Sequence, residues 1–129
     1  MTMKLLAFQD HAPAAEDQAA IVTLANDADP MALPLEGVTR IDLHFPQVTD
    51  GRAFSQAYLL RRRRGFTGEI RATGDVLIDQ LVQMERTGFS AAVLKEGLST
   101  ADAQRQFDRF KGFYQADATH LQPHFAQAN

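Results

Sequence analysis

Two short words place charged side chains where chemistry can be done: "VTRIDLHF" (38–45) and "GEIRAT" (68–73). Successive side chains of an extended chain alternate between faces. Arg40, Asp42 and His44 therefore share one side, and Ile41, Leu43 and Phe45 the other. Glu69 and Arg71 repeat the pattern opposite Ile70 and Ala72, and Lys95 falls near the end of a later strand. Charges on a covered sheet face are tolerated only when paired, which leaves two readings. One is a structural network such as Asp42–Arg71. The other is catalytic, with His44 as acid/base, Asp42 as its orienter and Arg71 holding an anionic substrate.

A second constellation lies in two strand-to-helix turns, "FPQVTDGRAFS" (45–55) and "RATGD" (71–75). In parallel α/β folds, sites form beyond the carboxyl ends of the strands. The first turn presents Asp50, Gly51, Arg52 and Ser55 at a helix N-terminus; the second presents Thr73, Gly74 and Asp75. Backbone N–H groups, a glycine for close approach and an arginine make an anion cradle. The plainer reading is that Asp50 and Asp75 are helix N-caps, which would partly repel an anion. Neither turn matches a P-loop or a GxGxxG dinucleotide fingerprint.

Between the turns runs "RRRR" (61–64). Helical residues advance by about 100°, so Arg61, Arg62, Arg63 and Arg64 cannot share one solvated face. At least one must turn toward the sheet edge, a neighbouring helix or another subunit. Cations at a helix C-terminus complement its dipole, so snorkelling at a surface is the simplest account and a partner interface the second. A nucleic-acid patch fits poorly, because the net charge is −3 and no aromatics are interleaved with the arginines beyond the flanking Tyr58 and Phe66. The charge is nevertheless uneven. Residues 1–37 hold one Lys against six Asp/Glu, and residues 52–71 hold six Arg against one Glu. Such a local positive zone suits a small anion or an acidic partner.

Other chemistries are excluded by composition. The chain has no cysteine, which removes disulfides, thiolate metal sites and thiol redox chemistry. No metal site is expected: His120 and His124 have i, i+4 spacing, but Pro123 lies between them and a third ligand is not evident. No apolar run reaches membrane-spanning length, and "MTMKLLAFQDH" is a poor signal peptide, so a cytoplasmic protein with no membrane partner is expected.

The elements that position these groups follow from pattern. At 129 residues one domain is expected. Residues 1–18 read as a flexible N-terminal arm, 19–116 as one α/β domain and 117–129 as a C-terminal tail. Strands are expected at 20–25, 38–45, 68–73 and 90–95. A short helix capped by Asp29 with Pro30 at its first position follows the first strand. Helices are expected over 51–64, capped by Asp50 and stopped by Gly65, and over 75–87, capped by Asp75 and stopped by Gly88. A last helix begins at Ser99 with Asp102 in a capping-box position, and Ala103, Phe107, Phe110 and Tyr114 form its core stripe. Strand–helix alternation implies a parallel sheet of four consecutive units. Because its middle strands alternate, helices should cover mainly one face, in a half-barrel-like arrangement. Open sheet edges suggest a homodimer.

With these elements placed, "FPQVTDGRAFSQAYLLR", "GFTGEIRATGDVLIDQL" and "RTGF" together resemble a bacterial family of unknown function. Its members are commonly labelled "oxidoreductase probably involved in sulfite reduction". The resemblance covers roughly residues 20–95. Its recurring residues correspond to Phe45, Pro46, Asp50, Gly51, Arg52, Ser55, Arg61, Gly68, Glu69, Arg71, Ala72, Gly74, Asp75, Asp79 and Gly88. Ala53 stands where a glycine is frequent, and Thr87 where a cysteine is expected. The resemblance implies an accessory protein of assimilatory sulfite reduction and cysteine biosynthesis, acting with sulfite reductase or its electron donor. A small-anion site over Arg52 and Arg71 would accompany that role. The alternative is a small enzyme acting on an anionic sulfur metabolite or phosphate ester through Asp42, His44 and Arg71. The cofactor is unknown: no nucleotide, haem or cluster motif accompanies the oxidoreductase label.

Overall fold

A computed structural model describes residues 3–13, 20–46 and 51–125, with side chains as far as residue 112. Among the described residues, five strands form one wholly parallel sheet: β1 (Lys4–Leu6), β2 (Ile21–Leu24), β3 (Arg40–Phe45), β4 (Glu69–Gly74) and β5 (Ala91–Val93). Their spatial order is β1-β5-β4-β3-β2. The run β2 to β5 is the four-unit sequential order that strand–helix alternation implies. The fifth strand corrects the reading of the N-terminus as a loose arm. "KLL" is too short to announce itself, yet Lys4 pairs with Ala91 and Leu6 with Val93. The edge is fixed by backbone bonds, Lys4 N–H to the Ser90 carbonyl at 3.0 Å and Leu94 N–H to the Leu6 carbonyl at 2.8 Å. The Met3 N–H also donates to Glu85 Oε2 at 2.7 Å.

Three helices connect and cover the sheet: α1 (Arg52–Arg62), α2 (Leu81–Thr87) and α3 (Thr100–Phe125). Ile41, Leu43, Phe45, Ile70, Ala72 and Ala92 point from the strands into one buried cluster. Ala53, Ala57 and Leu60 of α1, Leu81 and Met84 of α2, and Phe107 of α3 complete it. Burial of these side chains, each worth about 1.5–3 kcal/mol for the larger ones, selects the helix-bearing face. Phe45, Phe54 and Phe89 meet edge to face or tilted, with centroids 5.1–6.3 Å apart, and close the core beneath the carboxyl end of β3.

The short capped turn is present: Pro30–Ala32 forms a 3-10 turn whose Met31 N–H donates to Asp29 Oδ1 at 2.9 Å. Ser99 caps α3 by accepting from the Asp102 N–H at 3.3 Å. The helix expected over 75–87 is shorter. Gly74 continues β4, Ile78–Gln80 forms a 3-10 turn, and only Leu81–Thr87 is α-helical. Asp75 is therefore not its N-cap; the Asp75 carboxylate pairs instead with Lys95. Asp50, the expected cap of α1, lies outside the described residues. At the other end α3 runs on to Phe125, so the tail expected from residue 117 continues a helix. The side chains of Tyr114, His120 and His124 lie outside those described.

The arginine run serves the packing of α1. Arg61 turns inward, donating from Nε to the Gly88 carbonyl at 2.9 Å and from Nη1 to those of Phe66 and Gly68 at 2.8 and 2.7 Å. It thus joins the end of α1, the start of β4 and the end of α2, and burial pulls its guanidinium below the usual value. Gly88, at φ 123°, both stops α2 and leaves room for Arg61, since a Cβ there would lie 2.6 Å from Arg61 Cγ. Arg64 donates to the carbonyls of Pro30 and Met31 at 2.8 and 3.1 Å. Arg62 is exposed and lies over the Tyr58 ring, 5.6 Å from its centroid.

A test follows from this division. Arg61→Met leaves three part-buried carbonyls without their donor and should cost about 3 kcal/mol. Arg62→Ala should stay within about 0.5 kcal/mol. Urea unfolding of both variants checks the contrast, and equal losses would show that the inward turn of Arg61 has been misassigned.

Candidate functional site

The charged face of the sheet is covered by the protein's own N-terminal segment. Beyond β1, residues 7–13 include a 3-10 turn at Phe8–Asp10 and meet the side chains that alternate outward from β3 and β4. Arg40 is the anchor. Its Nε and Nη2 donate to Asp42 Oδ1 and Oδ2, both at 2.8 Å, and Nη2 also donates to the Ala12 carbonyl at 2.8 Å. Residues two apart on a strand face the same way, so this fork-to-fork pair forms within β3 itself. Arg71 repeats the arrangement on β4. Its Nε donates to Glu69 Oε2 at 2.6 Å, and its Nη1 donates to His11 Nδ1 at 2.9 Å.

These contacts revise the constellation read from the sequence. Asp42 is 2% exposed and its two oxygens accept from Arg40. The expected Asp42–Arg71 network is instead two separate i, i+2 pairs, although Asp42 and Arg71 are register partners across β3 and β4. The bonds of Asp42 do not reach His44. His44, one step further along, is exposed and stands 3.4 Å from Thr73 Oγ1. The geometry thus places Asp42 and Arg71 under the N-terminal segment and His44 outside it.

His44 instead borders a cavity of about 610 Å³ at the carboxyl ends of β3, β4 and β5, where a parallel sheet is expected to place its site. Thr73, Gly74 and Asp75 from the end of β4, and Lys95 and Glu96 beyond β5, line it. The N-terminal segment borders it with Phe8 and His11, and Phe45, Pro46, Val93 and Leu94 give an apolar lining. Gly74 is needed here for two reasons. Its φ is 90°, and a Cβ would come within 2.5 Å of the Phe45 carbonyl and 2.6 Å of His44 Cε1. The glycine therefore seats the His44 ring against the end of β4.

The turn does not form the backbone cradle expected of it. The Asp75 N–H donates to the Phe45 carbonyl at 2.7 Å and the Val76 N–H to the Gly74 carbonyl at 2.9 Å, so both amides are engaged. The polar groups that the cavity offers come from side chains. Lys95 supplies a cation, paired with Asp75 but 44% exposed. Gly51, Arg52 and Ser55 lie elsewhere: none lines this cavity, and Ser55 borders a shallow depression with Phe54, Tyr58, Leu59 and Thr87. Arg52 and Arg71 are not brought together over it, and Asp50 lies outside the described residues.

Phe8 and His11 of the cavity, like Glu96, escaped sequence reasoning. Phe8 and His11 sit in a stretch whose Ala-rich polar character reads as a loose arm, and only the pairing of β1 beside β5 carries them over the sheet. Burial lowers the pKa of His11 from its ordinary 6.5; Asp42 and Glu69 oppose this, whereas Arg71 and Arg40 add to it. An imidazole held neutral in the folded state binds fewer protons there than when unfolded. Its contribution to stability is full above pH 6.5 and declines as pH falls below it toward the lowered value.

Fold and site define a small parallel α/β protein with a polar-rimmed cavity at its strand exits. Residues 21–125 match the family model described as "Bacterial protein of unknown function (DUF934)", and the chain belongs to that family. No curated protein and no solved structure matches the chain. No helix among the described residues is long and apolar enough to cross a membrane.

Two measurements check the covered face. Asp42→Asn removes the counter-charge of a buried guanidinium and should destabilise the fold by about 3–5 kcal/mol. Chemical denaturation of a well-folded variant losing under about 1 kcal/mol would contradict the structural role. In the wild type, stability should fall as pH drops below 6.5, and His11→Gln should flatten that part of the profile.

Proposed function

We propose that this is a cytoplasmic accessory protein of assimilatory sulfite reduction and cysteine biosynthesis, acting with sulfite reductase or its electron donor. In this role it binds one small oxyanion at the strand-exit cavity. The pathway rests on the resemblance of its sequence words to a family of unknown function whose members are labelled for sulfite reduction. The binding reading rests on one observation, the convergence of His44, Thr73 and Lys95 at the carboxyl ends of three adjacent parallel strands.

The chemistry of the lining limits the ligand. Lys95 and Asp75 form a partly exposed pair, and such pairs are worth about 0–1 kcal/mol, so an anion can take the ammonium from Asp75 at small cost. Asp75 and Glu96 on the same rim disfavour a polyanion. A compact, singly or doubly charged oxyanion such as sulfite satisfies both conditions. The enzymatic alternative through Asp42, His44 and Arg71 requires substrate access to two groups that lie beneath residues 7–13, one held by Arg40 and the other by Glu69 and His11.

Thermal unfolding tests the binding half. Sodium sulfite at about a hundredfold above Kd should raise Tm by roughly 5–10 °C relative to sodium chloride, and Lys95→Met should abolish the rise. An unchanged Tm in the wild type sinks the anion site. The accessory half is tested by affinity purification from cells growing on sulfate as sole sulfur source. Sulfite reductase or its reductant should co-purify, and recovery of the tagged protein alone would count against the partnership.

A further inference from the structure

Arg71 and Glu69 fall among the words that carry the family resemblance, yet neither residue lines the strand-exit cavity. Their contacts show what they can do for it. A guanidinium has only donors and no acceptor. The 2.9 Å contact between Arg71 Nη1 and His11 Nδ1 therefore makes Nδ1 the acceptor, and in a neutral ring the one proton must sit on Nε2. Glu69, 2.6 Å from Arg71 Nε, holds the guanidinium in place through a different nitrogen from the one that meets the histidine. His11 itself lines the cavity together with His44 and Lys95.

We propose that His11 is a ligand-binding residue whose Nε2–H is presented to the anion, and that Arg71, oriented by Glu69, is the positioning residue that fixes this tautomer. The inference deepens the oxyanion reading and rests on it: the ligand meets a neutral N–H donor from the N-terminal segment above and the Lys95 ammonium from the strand exit below. The sheet's charged face then has a functional output. Arg71 reaches the ligand through the imidazole it orients, so a change at Arg71 alters binding without touching the ligand. His11 stays uncharged because burial disfavours the imidazolium and because Arg71 and Arg40 face it, outweighing Asp42 and Glu69. A neutral donor adds a hydrogen bond without adding a second fixed cation, which suits a site whose rim already carries Asp75 and Glu96.

The test is long-range proton–nitrogen NMR of the imidazoles in the full-length protein at neutral pH, before and during titration with sodium sulfite. Without sulfite, His11 should show a protonated Nε2 and a bare Nδ1, and Arg71→Met should mix the tautomers. With sulfite, His11 and His44 should shift together and saturably. The sulfite Kd should weaken about tenfold in His11→Phe and by a similar factor in Arg71→Met. A His11 found as the Nδ1–H tautomer or as an imidazolium overturns the assignment. So does a titration in which His44 shifts and His11 stays still, which leaves the anion site itself standing. Sulfite moving no cavity signal removes the anion reading and this assignment with it. If Arg71→Met fails to fold, the wild-type spectra and His11→Phe still decide.

Discussion

The Arg40–Asp42 pair is the constraint from which the rest of this architecture follows. It forms within one strand, β3, between β4 and the edge strand β2 of a parallel sheet, on the face opposite the helices. A buried guanidinium with an uncompensated hydrogen-bonding edge is costly, and Asp42 satisfies only part of it. The Ala12 carbonyl takes a further bond from Nη2, at 2.8 Å. The chain beyond β1 is thereby drawn over the sheet, and what would be an open polar surface becomes an interior. A parallel sheet is normally buried on both faces. Here helices bury one face, and a short segment held by charge-assisted hydrogen bonds covers part of the other.

That covering also builds the site. β1 enters beside β5, so the residues after it leave at the carboxyl end of the sheet and must turn back across it. Phe8 and His11 arrive over the exits of β3, β4 and β5, where Gly74 leaves space for the His44 ring. Structural and cavity-lining positions are therefore split along β3 and β4. Arg40, Asp42, Glu69 and Arg71, earlier in their strands, hold the cover. His44, Thr73 and Lys95, at or beyond the strand ends, face the cavity.

The opposite end of the sheet is organised by Arg61. Three carbonyls from two segments, Phe66 and Gly68 before β4 and Gly88 after α2, converge on one guanidinium, which sets the spacing between α1, the entry to β4 and the end of α2. A run of four arginines in the sequence suggests a surface patch, yet two of them are internal ties and do not serve as a binding surface. Rotation by about 100° per residue made it certain that one would turn inward. Which one did so depended on where the Phe66, Gly68 and Gly88 carbonyls lie.

By itself, the sequence determined the class of fold. Hydrophobic alternation in "RIDLHF" and "GEIRAT", helical periodicity in 51–64 and the stop at Gly88 specify parallel strand–helix units, and the strand exits follow as the place for a site. Thr73, Gly74 and Asp75 were legible as strand-exit residues on that basis, whereas His44 and Lys95 were read with Asp42 and Arg71 on the charged face, and tertiary structure brought them to the cavity. Tertiary structure decided the rest. Three residues of "KLL" carry too little pattern to reveal a strand, since their pairing with β5 spans almost the whole domain and leaves no local trace. The partner of each charge was equally hidden: strand periodicity says that Arg40, Asp42, Glu69 and Arg71 share a face, but whether they pair along a strand or across strands is settled only by side-chain geometry. His11 became part of the site for the same reason. Its position is fixed by a hydrogen bond to a residue 60 places away.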